Sequence, residues 1–192
     1  HRVDVVTGAE SIESFGALKG DLDRLATGLY LMELADALLP DASPHPGAYT
    51  LLLDALRALD QGESLDGVAR YAELRLLEDS GYMPELGSCQ VCGAEIVPEH
   101  HRFAPGLGGV VDDTCSVPMG QVLSLSLNAL KVLRHYHRTG MADAVQVRLS
   151  PALRAELERI LGISIRYVLE REVATADFVD HLRTLRSRAA TS

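Results

Sequence analysis

The residues with the clearest chemistry lie in the stretch from Cys89 to Cys115, which reads CQVCGAEIVPEHHRFAPGLGGVVDDTC. Cys89 and Cys92 form a Cys-x-x-Cys pair that is followed at once by Gly93. A glycine at this place lets the chain turn so that both thiolates face one point, as in a zinc knuckle. Two such arms separated by about twenty residues indicate a zinc ribbon.

The second arm is incomplete, because Asp112 stands three residues before Cys115, where a cysteine is expected. A carboxylate oxygen ligates zinc at about 2.0–2.2 Å, so an aspartate at this spacing still predicts a ligand. His100 and His101 are rival fourth ligands, since imidazole is the better zinc donor. The predicted ligands of a structural Zn²⁺ are therefore Cys89, Cys92, Asp112 and Cys115.

Two other interpretations of the cysteines stay open: reduced thiols in a loop, or a degenerate site that holds no metal. A closed tetrahedral site leaves no position for water, so a metal here would hold a loop and do no chemistry. The sequence lacks a phosphate-binding glycine loop and a Gly-x-Ser-x-Gly elbow. We therefore expect no enzyme. A metalloenzyme in which Asp112 marks an open zinc position is a third, disfavoured alternative, because no paired general base is evident.

Composition bounds the class of protein. The chain has 192 residues, of which 47% are apolar and 23% charged, enough for one ordinary domain with a small appendage. Aromatic residues make up 5% and Trp is absent, which argues against a nucleic-acid surface built on stacking. An odd number of cysteines (three) does not suggest a disulfide scaffold. With no signal peptide and no apolar run long enough for a membrane span, we expect a cytoplasmic protein.

Charge is distributed unevenly along the chain. The net charge is −9, but residues 1–119 carry 7 Lys and Arg against 20 Asp and Glu, or −13. Residues 120–192 carry 11 against 7, or +4. An anionic partner is therefore expected to dock on the C-terminal third, although +4 also fits an ordinary solvated helix surface.

Periodicity predicts a mainly α fold. Residues 1–14 alternate apolar and polar side chains, which predicts a strand ending near Gly8 and a short one around Ile12. From Leu18 onward the period is helical, and short loops favour an antiparallel bundle. The cysteine-rich module is inserted at 82–119, with a short hairpin over HHRFAPGLGGVV. The predicted helices begin near Leu18, Pro46, Ser64, Ser126, Ser150 and Thr175.

Faces of these helices can also be predicted. On the first helix, Leu22, Leu25, Leu29 and Met32 share one face. We expect the helix to be buried on two sides, because further leucines broaden this stripe: Leu31, Leu34 and Leu38. The acids of the helix after Ser150 alternate with arginines, which predicts salt bridges along that helix. The helix after Ser126 carries His135 and His137, which are expected to be exposed.

Several segments resemble the RecO family of bacterial recombination mediators. ELRLLEDSGYMPELGSCQVCG is similar to the family's helix leading into G-Y-x-P-x-L-x-x-C-x-x-C-G. RFAPGLGGVV resembles the stretch before the second cysteine pair, and LYLMELADALL resembles the early Y-x-x-E-L helix. HLRTL after ATADF resembles the family's end. The resemblance covers nearly all of residues 15–185, and Asp112 departs from it, because many members have a cysteine there.

The resemblance implies an N-terminal OB-fold, of which 1–14 would be a remnant closing strand, then a helical domain over 15–192 that contains the zinc module. It implies DNA repair by binding of single- and double-stranded DNA and strand annealing. It also implies contacts with RecR and with the acidic, apolar-ended tail of the single-strand-binding protein, which help to load RecA. A nucleoid-associated location follows from this. The residues we expect to contact DNA or the tail are Lys131, Arg134, Arg138, Arg154, Arg159 and Arg166.

A different function is compatible with the same residues. The −13 of residues 1–119 favours a zinc-stapled helical adaptor that recognises a protein and has no direct role with nucleic acid. Partner binding with weak salt dependence would distinguish such an adaptor from a DNA-binding mediator.

Overall fold

The computed structural model describes residues 8, 10–39, 44–97, 100–117 and 120–189, with side chains described up to residue 171. Within these ranges the chain is mainly helical, with a small three-stranded sheet, so the predicted fold class is confirmed. The helices are α1 (Gly16–Gly20), α2 (Leu22–Leu38), α3 (Pro46–Gln61), α4 (Leu65–Asp79), α5 (Leu127–Arg138), α6 (Met141–Ala144) and α7 (Pro151–Ala189). The strands are β1 (His101–Ala104), β2 (Gly109–Asp112) and β3 (Leu123–Ser124).

Helix α4 is the centre of the bundle. It contacts α2, α3, α5, α6 and α7. The apolar face that its periodicity predicts is buried throughout: Val68, Tyr71, Leu74 and Leu77. The Ser64 hydroxyl accepts the Gly67 N–H at 3.3 Å and caps its first turn, as predicted. At its other end Gly81 has φ 81°, and Tyr82 N–H reaches the Leu77 carbonyl at 2.7 Å. This αL ending turns the chain directly into the cysteine module.

Helix α2 is buried on one side and exposed on the other. Leu31, Leu34 and Leu38 are buried, whereas Leu22 is 79% exposed and Leu29 and Met32 are also exposed. The predicted burial of the second side, with Leu31 and Leu34, is confirmed, whereas the predicted burial of the face from Leu22 to Met32 was wrong. Because α2 is apolar on every side, its periodicity could not select the buried face.

The cysteine module is built on the predicted hairpin. Strand β1 pairs antiparallel with β2, and His101 lies opposite Asp112. The turn between them is a single 3₁₀ turn, Pro105–Leu107. Strand β3 pairs with the other edge of β1 and lies beyond the predicted end of the module at residue 119. Phe103 and Val110, opposite each other, are buried and join the sheet to the core.

Helix α5 begins at Leu127, directly after the predicted start at Ser126. The Ser126 hydroxyl accepts the Ala129 N–H at 3.1 Å and caps it. His137 is exposed, as expected, but its Nδ1 lies 3.6 Å from a Glu78 carboxylate oxygen on α4. His135 is half-buried, so the expectation of exposure was wrong for this residue. The short helix α6 that follows was not predicted.

Helix α7 is continuous where two helices were predicted. It begins at Pro151, where the Ser150 hydroxyl accepts the Leu153 N–H at 3.3 Å, and it runs without a break through Thr175. The acids and arginines of its first turns contact other elements: Glu156 accepts from Ser126 on the α5 cap at 2.6 and 2.7 Å. The predicted salt bridges along the helix were therefore wrong for this part, because neighbouring elements offer closer partners.

The predicted N-terminal strand lies mostly outside the described residues, at 1–7 and 9. Residues 10–15 form irregular chain in which Ile12 is 95% exposed, so the second short strand around Ile12 is not formed. Among the residues that the structure describes, no helix has the length and apolar character needed to cross a bilayer.

Candidate metal centre

The first cysteine turn follows directly from its sequence. Gly93 adopts φ 74°, and its N–H donates to the Cys89 carbonyl at 2.9 Å. An L-residue with a side chain rarely adopts this conformation, which is why a glycine is needed here. The Val91 N–H also points at the Cys89 sulfur, at 3.4 Å. The turn predicted from Cys-x-x-Cys-Gly is therefore present.

The three cysteines converge on one point. All are free thiols, and the Sγ atoms of Cys89, Cys92 and Cys115 lie within 4.8 Å of one another. The Cys89 and Cys115 sulfurs are 3.8 Å apart. With Zn–S bonds of about 2.3 Å, the edge of a tetrahedral thiolate site is about 3.8 Å. The three thiols therefore fit three corners of a tetrahedral zinc site.

The electrostatics of the cluster favour deprotonation at Cys89. Burial alone would raise the pKa of this thiol, but backbone N–H groups of Asp112, Cys92 and Val91 together lower it to about 6. Hydrogen bonding to Cys92, burial and the Cys89 thiolate raise the pKa of Cys115. The cluster thus shares protons that a bound metal ion would displace, since zinc binds the thiolate form.

Asp112 lies at the edge of this cluster. Its N–H donates to the Cys89 sulfur at 3.2 Å, while one carboxylate oxygen accepts the Thr114 N–H at 2.8 Å. Hydrogen bonds from Thr114 lower the pKa of the Asp112 carboxyl. The carboxylate is not among the atoms that lie within 4.8 Å of one another. Its role as fourth ligand therefore stays a prediction.

The rival histidines lie in different surroundings. His100 is exposed, and its positive form would help to lower the pKa of Asp112. His101 is 6% exposed, and neither of its ring nitrogens has a hydrogen-bond partner among the residues that the structure describes. Neither ring belongs to the three-sulfur cluster. Both stay possible ligands only if their side chains rotate.

Arg102 supports the second turn, a role that sequence reasoning missed. Its guanidinium donates to the carbonyls of Asp113 and Cys115 at 3.1 and 2.9 Å and pairs with the Asp113 carboxylate at 3.3 Å. These contacts tie the turn that carries Cys115 to strand β1. Alternation along β1 could have indicated the direction of Arg102, but not its partners.

The module is attached to the bundle through the segment that leads from α4 to the first cysteine, residues 82–88, which we call the lead-in segment. Glu85 exchanges backbone hydrogen bonds with the hairpin, to Gly108 and Val110 at 2.9 Å each. On the other side, Arg134 of α5 donates from Nε to the Leu86 carbonyl at 2.8 Å. Residues on both sides of the lead-in thus hold the first cysteine turn against the sheet and the bundle.

Three of the six cations predicted to contact an anionic partner join elements of this chain. Arg134 binds the carbonyl of Leu86, and Arg154 pairs with Asp66 at 2.8 Å. Arg159 donates to a carbonyl of β3 at 3.0 Å. The structure therefore gives each of these arginines a contact within the chain.

The other three, Lys131, Arg138 and Arg166, are exposed. In the part of the chain that the structure describes, none of them has a hydrogen bond or ion pair. Lys131 and Arg138 are seven residues apart on α5, so they share a face and lie about 10.5 Å apart along the axis. This pair forms the accessible basic ridge of α5.

A groove of about 550 Å³ lies beside this ridge, between α5 and the lead-in segment. Apolar side chains and cations both line it, although the carboxylates of Glu85 and Glu95 also border it. One oxygen of Glu85 accepts the backbone N–H groups of Gly87 and Ser88 at 2.6 and 3.0 Å. The other lining residues include Met83, Pro84, Leu86, Arg134, His137 and Arg138.

Comparisons with known proteins cover most of the chain. A family model described as "Recombination protein O C terminal" matches residues 19–176. A protein named "DNA repair protein RecO" from Roseiflexus sp. (strain RS-1) is 35% identical over 181 residues, which are 94% of this chain and 64% of the relative. The chain thus spans just under two thirds of that relative.

Two further relatives carry the same printed name. The protein from Desulforamulus reducens is 33% identical over 180 residues, covering 94% of this chain and 70% of the relative. The protein from Symbiobacterium thermophilum is 37% identical over 187 residues, covering 96% of this chain and 74% of the relative. The similarity therefore extends over the bundle and the cysteine module together.

Proposed function

The chain belongs to the RecO family of DNA repair proteins, and from this premise we propose that it acts as a recombination mediator that binds DNA and anneals strands. The family match over residues 19–176 is the observation that carries the proposal. The proposal assigns no catalytic step to the chain, and it locates the protein in the bacterial cytoplasm, close to the nucleoid.

The basic ridge of α5 supports a DNA contact. Lys131 and Arg138 are exposed, and a third exposed cation, Arg166, lies on α7. Lys and Arg side chains without partners bind phosphates by releasing the condensed counterions of DNA. Acidic residues dominate the first 119 residues, with a net charge of −13, which would repel a DNA backbone there. The basic ridge of α5, together with Arg166, is therefore the surface that we assign to DNA.

A pair of charge variants tests this assignment. We expect Lys131→Gln/Arg138→Gln to weaken binding of labelled single-stranded DNA by about tenfold at low salt, because two phosphate contacts are lost. The matched control is Lys19→Gln/Arg148→Gln, which removes two exposed cations elsewhere. Fluorescence anisotropy measures both. Equal weakening by the two double variants would contradict a localised DNA surface.

The groove beside α5 supports a protein contact of the same mediator. We assign it to the acidic, apolar-ended tail of the single-strand-binding protein, because apolar and cationic side chains line it together. A labelled acidic peptide with an apolar C-terminal residue should bind the chain, and Arg138→Glu should abolish binding whereas Arg148→Glu should not. No difference between these variants would remove the groove from the proposal. RecR and double-stranded DNA are further partners that the family premise includes.

The metal has a structural role in this proposal. The three cysteines hold Zn²⁺, which supplies the cross-link that two short turns and a small sheet need. This role predicts that zinc loss lowers the stability of the cysteine module more than that of the helical bundle.

The alternative is a zinc-stapled adaptor that recognises only proteins. The observation that favours it is the acidic character of residues 1–119. It predicts peptide binding with weak salt dependence and no DNA binding at low ionic strength, so the same anisotropy measurements separate the two functions.

A further inference from the structure

We propose that Asp112 supplies the fourth metal ligand through Oδ2, while Thr114 holds Oδ1 in place, so that this chain carries a Cys₃Asp site. The inference rests on the zinc site of the proposed function and identifies the residue that completes it. It starts from a likeness between the two turns that carry the cysteines.

The two turns use the same hydrogen bond at the same position. In the first turn, the Val91 N–H donates to the Cys89 sulfur, two residues earlier, at 3.4 Å. In the second turn, the Thr114 N–H donates to Asp112 Oδ1, also two residues earlier, at 2.8 Å. Each turn then places a cysteine one residue later. The Asp112 carboxylate therefore occupies the place that the Cys89 thiol occupies in the first turn.

The backbone of Asp112 is already at the site. Its N–H donates to the Cys89 sulfur at 3.2 Å, and this sulfur lies 3.8 Å from the sulfur of Cys115. The backbone of Asp112 thus contacts one of the three thiols directly. The proposal requires the carboxylate to turn from its present position so that Oδ2 reaches the fourth corner.

The contact with Thr114 is compatible with metal binding. A carboxylate that ligates a metal through one oxygen commonly accepts a hydrogen bond at the other. The Thr114 hydroxyl and N–H both donate to Oδ1, which leaves Oδ2 for the metal. Thr114 is therefore a positioning residue, and its two donors explain why an aspartate can replace a cysteine in this turn.

His101 is the strongest competing ligand. It lies on β1 directly opposite Asp112, and its two buried ring nitrogens lack partners within the described part of the chain. Imidazole is a better zinc donor than a carboxylate, so only a measurement that recognises imidazole separates the two. His100 is exposed and provides a matched control for its neighbour.

Zinc content and zinc K-edge X-ray absorption of the full chain test the proposal. We expect one Zn²⁺ per chain, with three sulfurs at about 2.3 Å and one oxygen at about 2.0 Å. The outer-shell scattering of an imidazole ring should be absent. In chelator competition, Asp112→Asn should lose more affinity than Thr114→Val, which should lose about 10- to 100-fold. His100→Asn and His101→Asn should retain the affinity of the unsubstituted chain.

The outcomes separate the two levels of the proposal. A chain that binds no zinc contradicts the zinc site itself. A chain that binds zinc with an imidazole signature, lost in His101→Asn, keeps the zinc site and overturns the assignment of Asp112. The spectrum of the unsubstituted chain decides between oxygen and imidazole even if His101→Asn does not fold.

Discussion

At the residue scale, Glu73 in the middle of α4 combines charge with almost complete burial. The residue is 1% exposed, and its Oε1 accepts the Tyr30 hydroxyl at 2.6 Å and pairs with Arg70 at 2.7 Å. Its second oxygen has no partner among the described residues. Burial raises the pKa of Glu73 to about 7, although Arg70 and Tyr30 act in the opposite direction. The ionised form is thus costly in the folded chain.

This shift predicts a pH dependence of stability. A carboxyl whose folded pKa is raised contributes most at pH values below its ordinary pKa of 4.5, and the contribution is lost as pH rises through about 7. We expect the free energy of unfolding of the natural chain to fall relative to Glu73→Gln by on the order of 3 kcal/mol across this window. Urea titrations at several pH values measure it.

Glu33→Gln serves as the control for this pH dependence, because Glu33 is an exposed acid on α2. The difference in free energy of unfolding between Glu33→Gln and the natural chain should not change with pH. A constant difference between the natural chain and Glu73→Gln would show that Glu73 is ionised at the same pH in the folded and unfolded chains.

Arg134 shows that a cation can have a structural contact where a partner contact was predicted. Its two donors to the Leu86 carbonyl, at 2.8 and 2.5 Å, attach the cysteine module to α5. We expect Arg134→Gln to lower the free energy of unfolding by about 1–2 kcal/mol, because a charged donor is lost from a partly buried carbonyl. Lys131→Gln on the same helix should change it by less than about 0.5 kcal/mol. Equal effects would contradict the structural role.

At the element scale, the sheet and the lead-in segment fit together only because one position lacks a side chain. A Cβ on Gly109 would lie 2.5 Å from the Glu85 carbonyl oxygen. This contact is between backbones, so the neighbour cannot move aside as a flexible side chain would. The close approach is what brings the first cysteine turn beside strand β2.

We expect Gly109→Ala to destabilise the chain by about 1–3 kcal/mol and to weaken metal binding, because the hairpin must move away from Glu85. Gly16→Ala is the control: a Cβ there meets no atom of the described residues within 4 Å, and alanine favours the first turn of α1. Thermal unfolding and chelator competition check both variants. A Gly109→Ala chain as stable as the control would contradict this close packing.

Elements with local signals were predictable from sequence. Ser64, Ser126 and Ser150 start helices because a cap needs only a hydroxyl and free N–H groups two or three residues away. The cysteine turn needed only Cys-x-x-Cys-Gly. Which side of α2 is exposed was not predictable, because apolar residues occur on all faces of that helix. The continuity of α7 through Thr175 also was not, since no proline or glycine marks either a break or its absence there.

Contacts between distant residues were beyond reach of the sequence. The donors of Arg134 and their acceptor on Leu86 are 48 residues apart, and Arg154 and Asp66 are 88 residues apart. Helical periodicity places Arg134 and Arg154 on polar faces, but it cannot assign their partners. The convergence of the three thiols was predictable from their spacing, whereas the hydrogen bonds from Thr114 to Asp112 depend on the shape of the second turn.

At the scale of the whole molecule, a helical bundle carries a small module built on short strands. Strands of four and two residues are too short to be stable alone, whereas the bundle is centred on the buried helix α4. A metal ion held by the three thiols would therefore stabilise mainly the module.

Metal removal should show this division. We expect a chelator to lower the amide hydrogen-exchange protection of residues 85–112 strongly while α4 keeps most of its protection, because the two regions depend on different contacts. Cys92→Ser without chelator should reproduce the pattern. Equal loss of protection in α4 and in the module would contradict a metal role limited to the module.

The most direct test of a RecO-type role for this chain is the salt dependence of its binding to single-stranded DNA. With phosphate contacts from Lys131, Arg138 and Arg166, we predict a logarithmic slope of affinity against salt of about −2, since each contact contributes about −0.7. The slope for Lys131→Gln/Arg138→Gln should be shallower by about 1.4, because two phosphate contacts are lost. Absence of binding at low salt, or a slope near zero, would contradict DNA binding by this part of the chain.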